Sequence, residues 1–223
     1  DNSDSYETVE ISEQDKAAID NEIEELRHYV SMAEGIGCET KAQALLKALT
    51  ASFDKVERLG GLRRALIFTE SRKTQEYLKN FFEANGFRDK VVCFNGTNSN
   101  DEANNIYQKW LLTHAGTSYV TGNLQIDKKQ ALVDFFKDSA EIMIATEAGA
   151  EGINLQFCSL VDNYDMPWNP QRIEQRIGRC HRYGQKHDVV VVNFVNKANA
   201  ADCRVYELLS TKFNLFEGVL GSS

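Results

Sequence analysis

Downstream of Gly61 the chain returns repeatedly to short, unbroken apolar runs: Ala65-Leu66-Ile67-Phe68, Val91-Val92-Cys93-Phe94, Ile142-Met143-Ile144-Ala145, Leu160-Val161 with Tyr164, and Val189 to Phe194. Such runs lack the alternation of a strand with one wet face, so each predicts a strand buried on both sides. Helical patterns fall between them, from about Lys73 to Ala84 before Gly86, and again from near Asp127. Buried strands alternating with helices restrict the chain to a mainly parallel sheet, with right-handed crossovers placing helices on both faces. The predicted class is α/β, a three-layer domain over about residues 61–200. Ligands of such sheets sit beyond the carboxyl ends of the strands.

Three stretches fall outside this rhythm. Residues 1–60 hold 14 acids and 6 bases, whereas the remainder holds 19 of each. Ile19, Ile23, Leu26 and Val30 recur at helical spacing behind a possible cap at Ser12, and a second helix runs from about Thr40 to Leu59 before Gly60-Gly61. This acidic helical segment is expected to pack on the domain or lead into it, as a solvated surface layer. About residues 97–124 a helical insertion is expected, with Ile106, Trp110 and Leu111 on one face. Asp101-Glu102-Ala103-Asn104 within it resembles a magnesium-binding acidic box, but with no phosphate loop upstream it reads as a helix N-terminus. Residues 201–223 are expected to form a C-terminal helix and tail.

Composition narrows the function classes. No apolar run approaches the roughly 20 residues of a membrane-spanning helix, and the first residues, DNSDSYETVE, lack the basic and apolar regions of a signal peptide. The five cysteines are scattered without a CxxC pair, which suits core fillers in a reduced, cytoplasmic protein better than a disulfide framework or a metal site. No GxxxxGK[ST], HExxH or GxSxG occurs.

The stretch QRIEQRIGRCHRYGQ, Gln171 to Gln185, is the strongest local anomaly in a chain of net charge −8. Read as one helix over 171–182, it places Arg172, Arg176, Arg179 and Arg182 within a sector of about 120°. A solvated charged face is the ordinary fate of such a run. Solvated helices, however, interleave acids at i,i+4, and here only Glu174 is local. Every base of the stripe is Arg, the residue suited to bidentate phosphate contact. Upstream, IMIATEAGAEGINLQ runs from a strand into a turn with Gly149 and Gly152, where backbone N–H groups could approach an anion. LVDNYDMPWNPQR uses Pro167 and Pro170 to set the turn into the stripe, with Trp168 as a possible core plug. In LIFTESRKTQEYL, Thr69, Ser71 and Arg72 follow a strand and precede a helix, either as phosphate contacts or as a helix cap.

Taken in order, LIFTESRKT, IATEAGAEGINLQ and DMPWNPQRIEQRIGRCHRYGQ resemble the C-terminal lobe of superfamily-two helicases, specifically the Swi/Snf-type ATPases and their bacterial RapA/HepA-like branch. The resemblance spans roughly Leu62 to Val195 and includes the tail RVYELLSTKFNLFEGVLGSS. It implies a RecA-like fold and an enzyme that hydrolyses ATP, with Mg, between two such lobes, of which the first holds the nucleotide. It implies arginine fingers at Arg179 and Arg182 with Gln175 beside them, and a less secure match at Arg176. Gly149, Glu151, Gly152 and Asn154 fall on the loop linking nucleotide to nucleic acid, and Thr146, Thr69 and Ser71 on contacts to the nucleic-acid backbone. The implied partners are double-stranded DNA, the first lobe of the parent chain, and a protein target such as RNA polymerase or a defence complex, in the cytoplasm at the nucleoid. A lone second lobe is expected to be inactive. Two rival classes stay open: a non-catalytic module docking an acidic partner, and a lobe of an RNA helicase.

Overall fold

Five apolar runs become five parallel strands. The computed structural model describes residues 13–34, 40–182, 185–194, 203–208 and 211, and divides the chain into two units, Asp1–Thr40 and Lys41–Ser223. In the second unit β1 (Ala65–Thr69), β2 (Val91–Phe94), β3 (Ile142–Thr146), β4 (Leu160–Asn163) and β5 (Val190–Asn193) form one sheet in the order β2-β3-β1-β4-β5. All four pairings are parallel, with Ile67 of β1 beside Ile144 of β3 and Asp162 of β4. The first four strands are buried at every position, as the unbroken apolar runs require.

Alternate residues feed two cores. Ala65, Ile67, Val91, Ile142, Ile144 and Leu160 pack beneath α2 (Thr40–Arg58) and α3 (Arg72–Ala84), with Leu45, Leu49, Phe53, Leu78 and Phe82 filling the layer. Leu66, Phe68, Val92, Phe94, Met143 and Val161 face the other way, against Leu132 and Phe136 of α5 (Leu124–Asp138) and the segment holding Ile153 and Leu155. This is the expected three-layer α/β domain with a RecA-like fold.

The insertion contributes α4 (Asp101–His114), capped by the Asn100 side chain on the Ala103 N–H, with Asp101 and Glu102 in its first turn. Tyr107 and Trp110 of α4 pack with Ala131 of α5, and the Trp110 indole N–H donates to Asp134 at 2.7 Å. The first unit contains α1 (Glu13–Glu34), on which Ile19, Ile23 and Leu26 are exposed. Ser12 lies outside the described residues. α2 packs on the sheet through Ala42, Leu45, Leu49, Phe53 and Val56, which recur at three- and four-residue spacing, while Lys47, Asp54, Lys55, Glu57 and Arg58 are exposed. Among the described residues no helix is long and apolar enough to cross a membrane.

One core position breaks the pattern. Asp162 is fully buried on β4, on the face of Leu160 and Tyr164, and among the described residues neither carboxylate oxygen has a hydrogen-bond partner. Burial raises its pKa well above the ordinary 3.8, only partly opposed by the charge of Lys41. The folded state therefore holds a proton that the unfolded chain releases, so stability falls as pH rises above the unfolded carboxyl's value and through the folded one. Asp162→Val should stabilise the chain at pH 8 by about 1–3 kcal/mol, the usual cost of an unsatisfied buried polar group. The gain should be smaller at pH 5. Denaturant melts of both proteins at the two pH values check this.

Candidate functional site

Because the strands are parallel, the segments following β1, β3 and β4 emerge at one edge of the sheet. After β1, Thr69 is fully buried and its hydroxyl donates to Asp165 Oδ2 at 2.7 Å. The Glu70 N–H donates to the same oxygen at 3.0 Å, and Lys41 Nζ reaches Oδ1 at 3.2 Å. Burial alone would raise the Asp165 pKa, but these donors outweigh it and hold the carboxyl below its ordinary value. Ser71 caps α3, accepting from the Thr74 N–H at 3.0 Å. Arg72 follows as the first helical residue and is exposed. Of this predicted trio, Arg72 alone presents an exposed side chain free of such bonds among the described residues; Thr69 faces inward and Ser71 serves its own helix.

After β3, Thr146 is buried and Glu147 opens the short helix α6 (Glu147–Ala150). Gly149 is pressed onto the end of β2: a Cβ there would lie 2.6 Å from Asn95 Cα and 2.8 Å from the Phe94 carbonyl oxygen. Packing between two backbones thus requires this glycine. Gly152 has a different reason, a φ of +79° that lets the chain turn back. Glu151, Gly152 and Asn154 are exposed around that turn.

After β4 the chain passes Trp168, which is 75% exposed and therefore no core plug. Asn169 caps α7 (Pro170–Ile177) by accepting from the Gln171 N–H, and Pro170 is the first helical residue. Here the structure corrects the sequence expectation. The arginine stripe is not one helix, because α7 ends at Ile177 with Gly178 as its cap. The N–H groups of Arg179 and Cys180 then bond the carbonyls of Arg176 and Ile177, three residues back, in tighter turns. Arg172 and Arg176 are thus i,i+4 neighbours on α7, whereas Arg179 and Arg182 lie beyond its end. Tyr183 and Gly184 lie outside the described residues.

Their surroundings divide them. Arg176 is 1% exposed. Its Nε and Nη2 both donate to Glu147 Oε2, at 2.9 and 2.7 Å, while Nη1 donates to Asn163 Oδ1 at 3.0 Å and to the Asp165 carbonyl at 2.8 Å. The guanidinium carbon lies 4.8 Å from the Phe68 ring centroid. The acid missing from the local sequence is thus supplied by another element. By contrast, Arg172 is exposed, Arg179 is half-buried, and among the described residues neither guanidinium has a partner. Arg182 is exposed and, among the described residues, donates only to the Gly178 carbonyl, at 3.1 Å. Gln175 is exposed on α7.

The arginine turn is stitched to the segment after Gly152. The Leu155 N–H donates to the Arg179 carbonyl at 2.9 Å, and Gln185 Nε2 donates to the carbonyls of Gln156 and Cys180 at 2.8 and 3.0 Å. Cys180 is buried, and its hydrogen bond with Cys158 together with burial raises its thiol pKa well above the ordinary value. Its thiol is thus a protonated packing group. Glu147, Asn163, Asp165, Gln185 and Lys41 were not singled out as site residues by sequence reasoning. Asp165 had the best local signal, just before the two prolines.

A parallel α/β lobe with a glycine-containing turn and an arginine turn at one edge has the architecture of a helicase C-terminal domain. Residues 75–184 match the helicase conserved C-terminal domain family, so this chain carries that domain. It is related to Swi/Snf-type superfamily-two ATPases. It is 45% identical over 135 residues to an uncharacterized ATP-dependent helicase, YqhH, of Bacillus subtilis, covering 60% of this chain and 23% of that protein. It is 38% identical over 79 residues to the RNA polymerase-associated protein RapA of Serratia proteamaculans, covering 35% of this chain and 8% of that protein. The chain thus spans less than a quarter of the length of these relatives. The crystal structure of the C-terminal part of the Fun30 ATPase domain shares the fold, with a TM-score of 0.52 at 20% identity over 73% of this chain and 44% of that one.

The packing account of Gly149 has a direct test. Gly149→Ala should destabilise the fold by about 1–3 kcal/mol, the range for overpacking a filled site. Gly96→Ala, where an added Cβ meets nothing closer than 3.8 Å, should be close to neutral. Paired thermal melts measure both.

Proposed function

We propose that this chain is the second motor lobe of an ATP-driven translocase acting on double-stranded DNA. Arg179 and Arg182 serve as arginine fingers toward a nucleotide held, with its Mg, mainly by a first lobe of the same parent protein. The observation that carries this reading is the division within the arginine stretch. Arg176 is buried and makes four hydrogen bonds, whereas among the described residues Arg179 lacks a partner and Arg182 bonds only a carbonyl of its own turn. Two guanidinium groups without an acid among the described residues, at the carboxyl edge, suit an external polyanion.

Gln175, Gly149, Glu151, Gly152 and Asn154 border the nucleotide side, with Gly149 acting through packing. Ser71, Arg72 and Thr146 lie toward the nucleic-acid backbone, with Thr69 holding Asp165 behind them. Contacts of this kind read phosphate and position the duplex without selecting sequence. A protein target comparable to that of the RNA polymerase-associated relatives, and a cytoplasmic, nucleoid-bound setting, complete the proposal.

In the parent protein, Arg179→Ala and Arg182→Ala should each lower ATP turnover by about 10³–10⁵-fold, the range for an arginine finger. ATP affinity, measured by equilibrium binding, should change little. Near-normal turnover in both variants removes the finger assignment. Comparing stimulation by duplex DNA and by RNA in the same assay separates a DNA translocase from an RNA helicase.

A further inference from the structure

Arg176 takes no part in the proposed chemistry, yet it is the arginine that the fold buries completely. Its four hydrogen bonds join elements that are far apart in sequence: Glu147 at the start of the turn after β3, Asn163 at the end of β4, and the Asp165 carbonyl beyond it. Asn163 passes the connection on, donating through Nδ2 to Asn193 Oδ1 of β5 at 2.8 Å. The ring of Phe68, on β1, stacks beneath the guanidinium. Arg176 lies three residues before Arg179, and Glu147 lies four residues before Glu151. A second strap, from the Leu155 N–H to the Arg179 carbonyl, closes the same two segments at their far ends.

Stability alone gives little reason for such a pair. A buried ion pair often does no better than apolar side chains of similar volume, because both charges are stripped of water. What a fixed guanidinium adds is direction: planar, fork-like donors hold their acceptors at set angles. We infer that Arg176 and Glu147 form a positioning pair that makes the 147–154 turn and the arginine turn move as one body. Nucleic acid engaging the first would thereby set the placement of Arg179 and Arg182. This rests on the motor-lobe reading proposed above and adds to it the residues that carry the coupling.

The test uses the full-length parent protein with Glu147→Gln, Arg176→Lys, and the exchanged pair Glu147→Arg with Arg176→Glu. For each, kcat and KM for ATP are measured without nucleic acid and at saturating duplex DNA, or RNA if that stimulates the wild type. Both single variants should lose the stimulation of kcat by about tenfold or more, as small misplacements of reacting groups do. KM for ATP should stay within about twofold, and the exchanged pair should recover part of the loss. Wild-type stimulation retained in both single variants overturns the inference, even if their melting temperatures fall. Should Arg176→Lys fail to fold, Glu147→Gln decides alone, because the Glu147 side chain is 36% exposed. A wild-type protein without nucleic-acid-stimulated turnover removes the motor reading itself, and the positioning pair with it.

Discussion

The candidate site is organised around the burial of one guanidinium at the carboxyl ends of parallel strands. Arg176 is only 1% exposed, and charge in such a place is tolerated only when its donors are matched. The matching partners come from four directions: the turn after β3, the end of β4, the backbone beyond it, and the Phe68 ring. They converge because every strand of the sheet runs the same way, so every following segment emerges at the same edge. Asp165 forms a second node of the same kind. It accepts from Thr69, the Glu70 N–H and Lys41, and so ties β1 and α2 to the segment that leads into α7. The two nodes lie on one stretch, since Arg176 Nη1 donates to the Asp165 carbonyl.

The sheet was legible because burial on both faces forces continuous apolar runs, and Ala65–Phe68, Val91–Phe94 and Ile142–Ala145 each became strands. Helical composition continues past Gly178, whereas the backbone there leaves the regular helix and closes turns of three and four residues beside the Leu155 segment. The partner of Arg176 could not be seen in local sequence, since Glu147 is 29 residues away and meets it only through the fold. The core face of α2 was hidden by the acidic balance of residues 1–60 taken together, although α2 itself carries four bases and two acids interleaved with the buried Leu45, Leu49, Phe53 and Val56. Ser71 showed that a residue type suited to phosphate is equally suited to capping a helix, and here it caps. Gly149 made the same point for glycine, since its lack of a side chain is explained by the Asn95 backbone pressing on it.

What the fold leaves at the edge is a graded set of arginines. Arg176 is consumed by structure, Arg182 is lightly held by its own turn, and Arg179 has no partner among the described residues. A helicase C-terminal domain over residues 75–184 supplies the context in which such a gradient has a use. In the proposed account the lobe contributes charge at a distance, to a nucleotide that another lobe cradles. The sequence accordingly contains no GxxxxGK[ST] loop of its own.

That dependence on a second lobe is the central claim, and ATP hydrolysis by the isolated 223-residue chain in saturating duplex DNA measures it most directly. The account predicts phosphate release no faster than from a blank without protein. Sustained turnover by the isolated chain would contradict it.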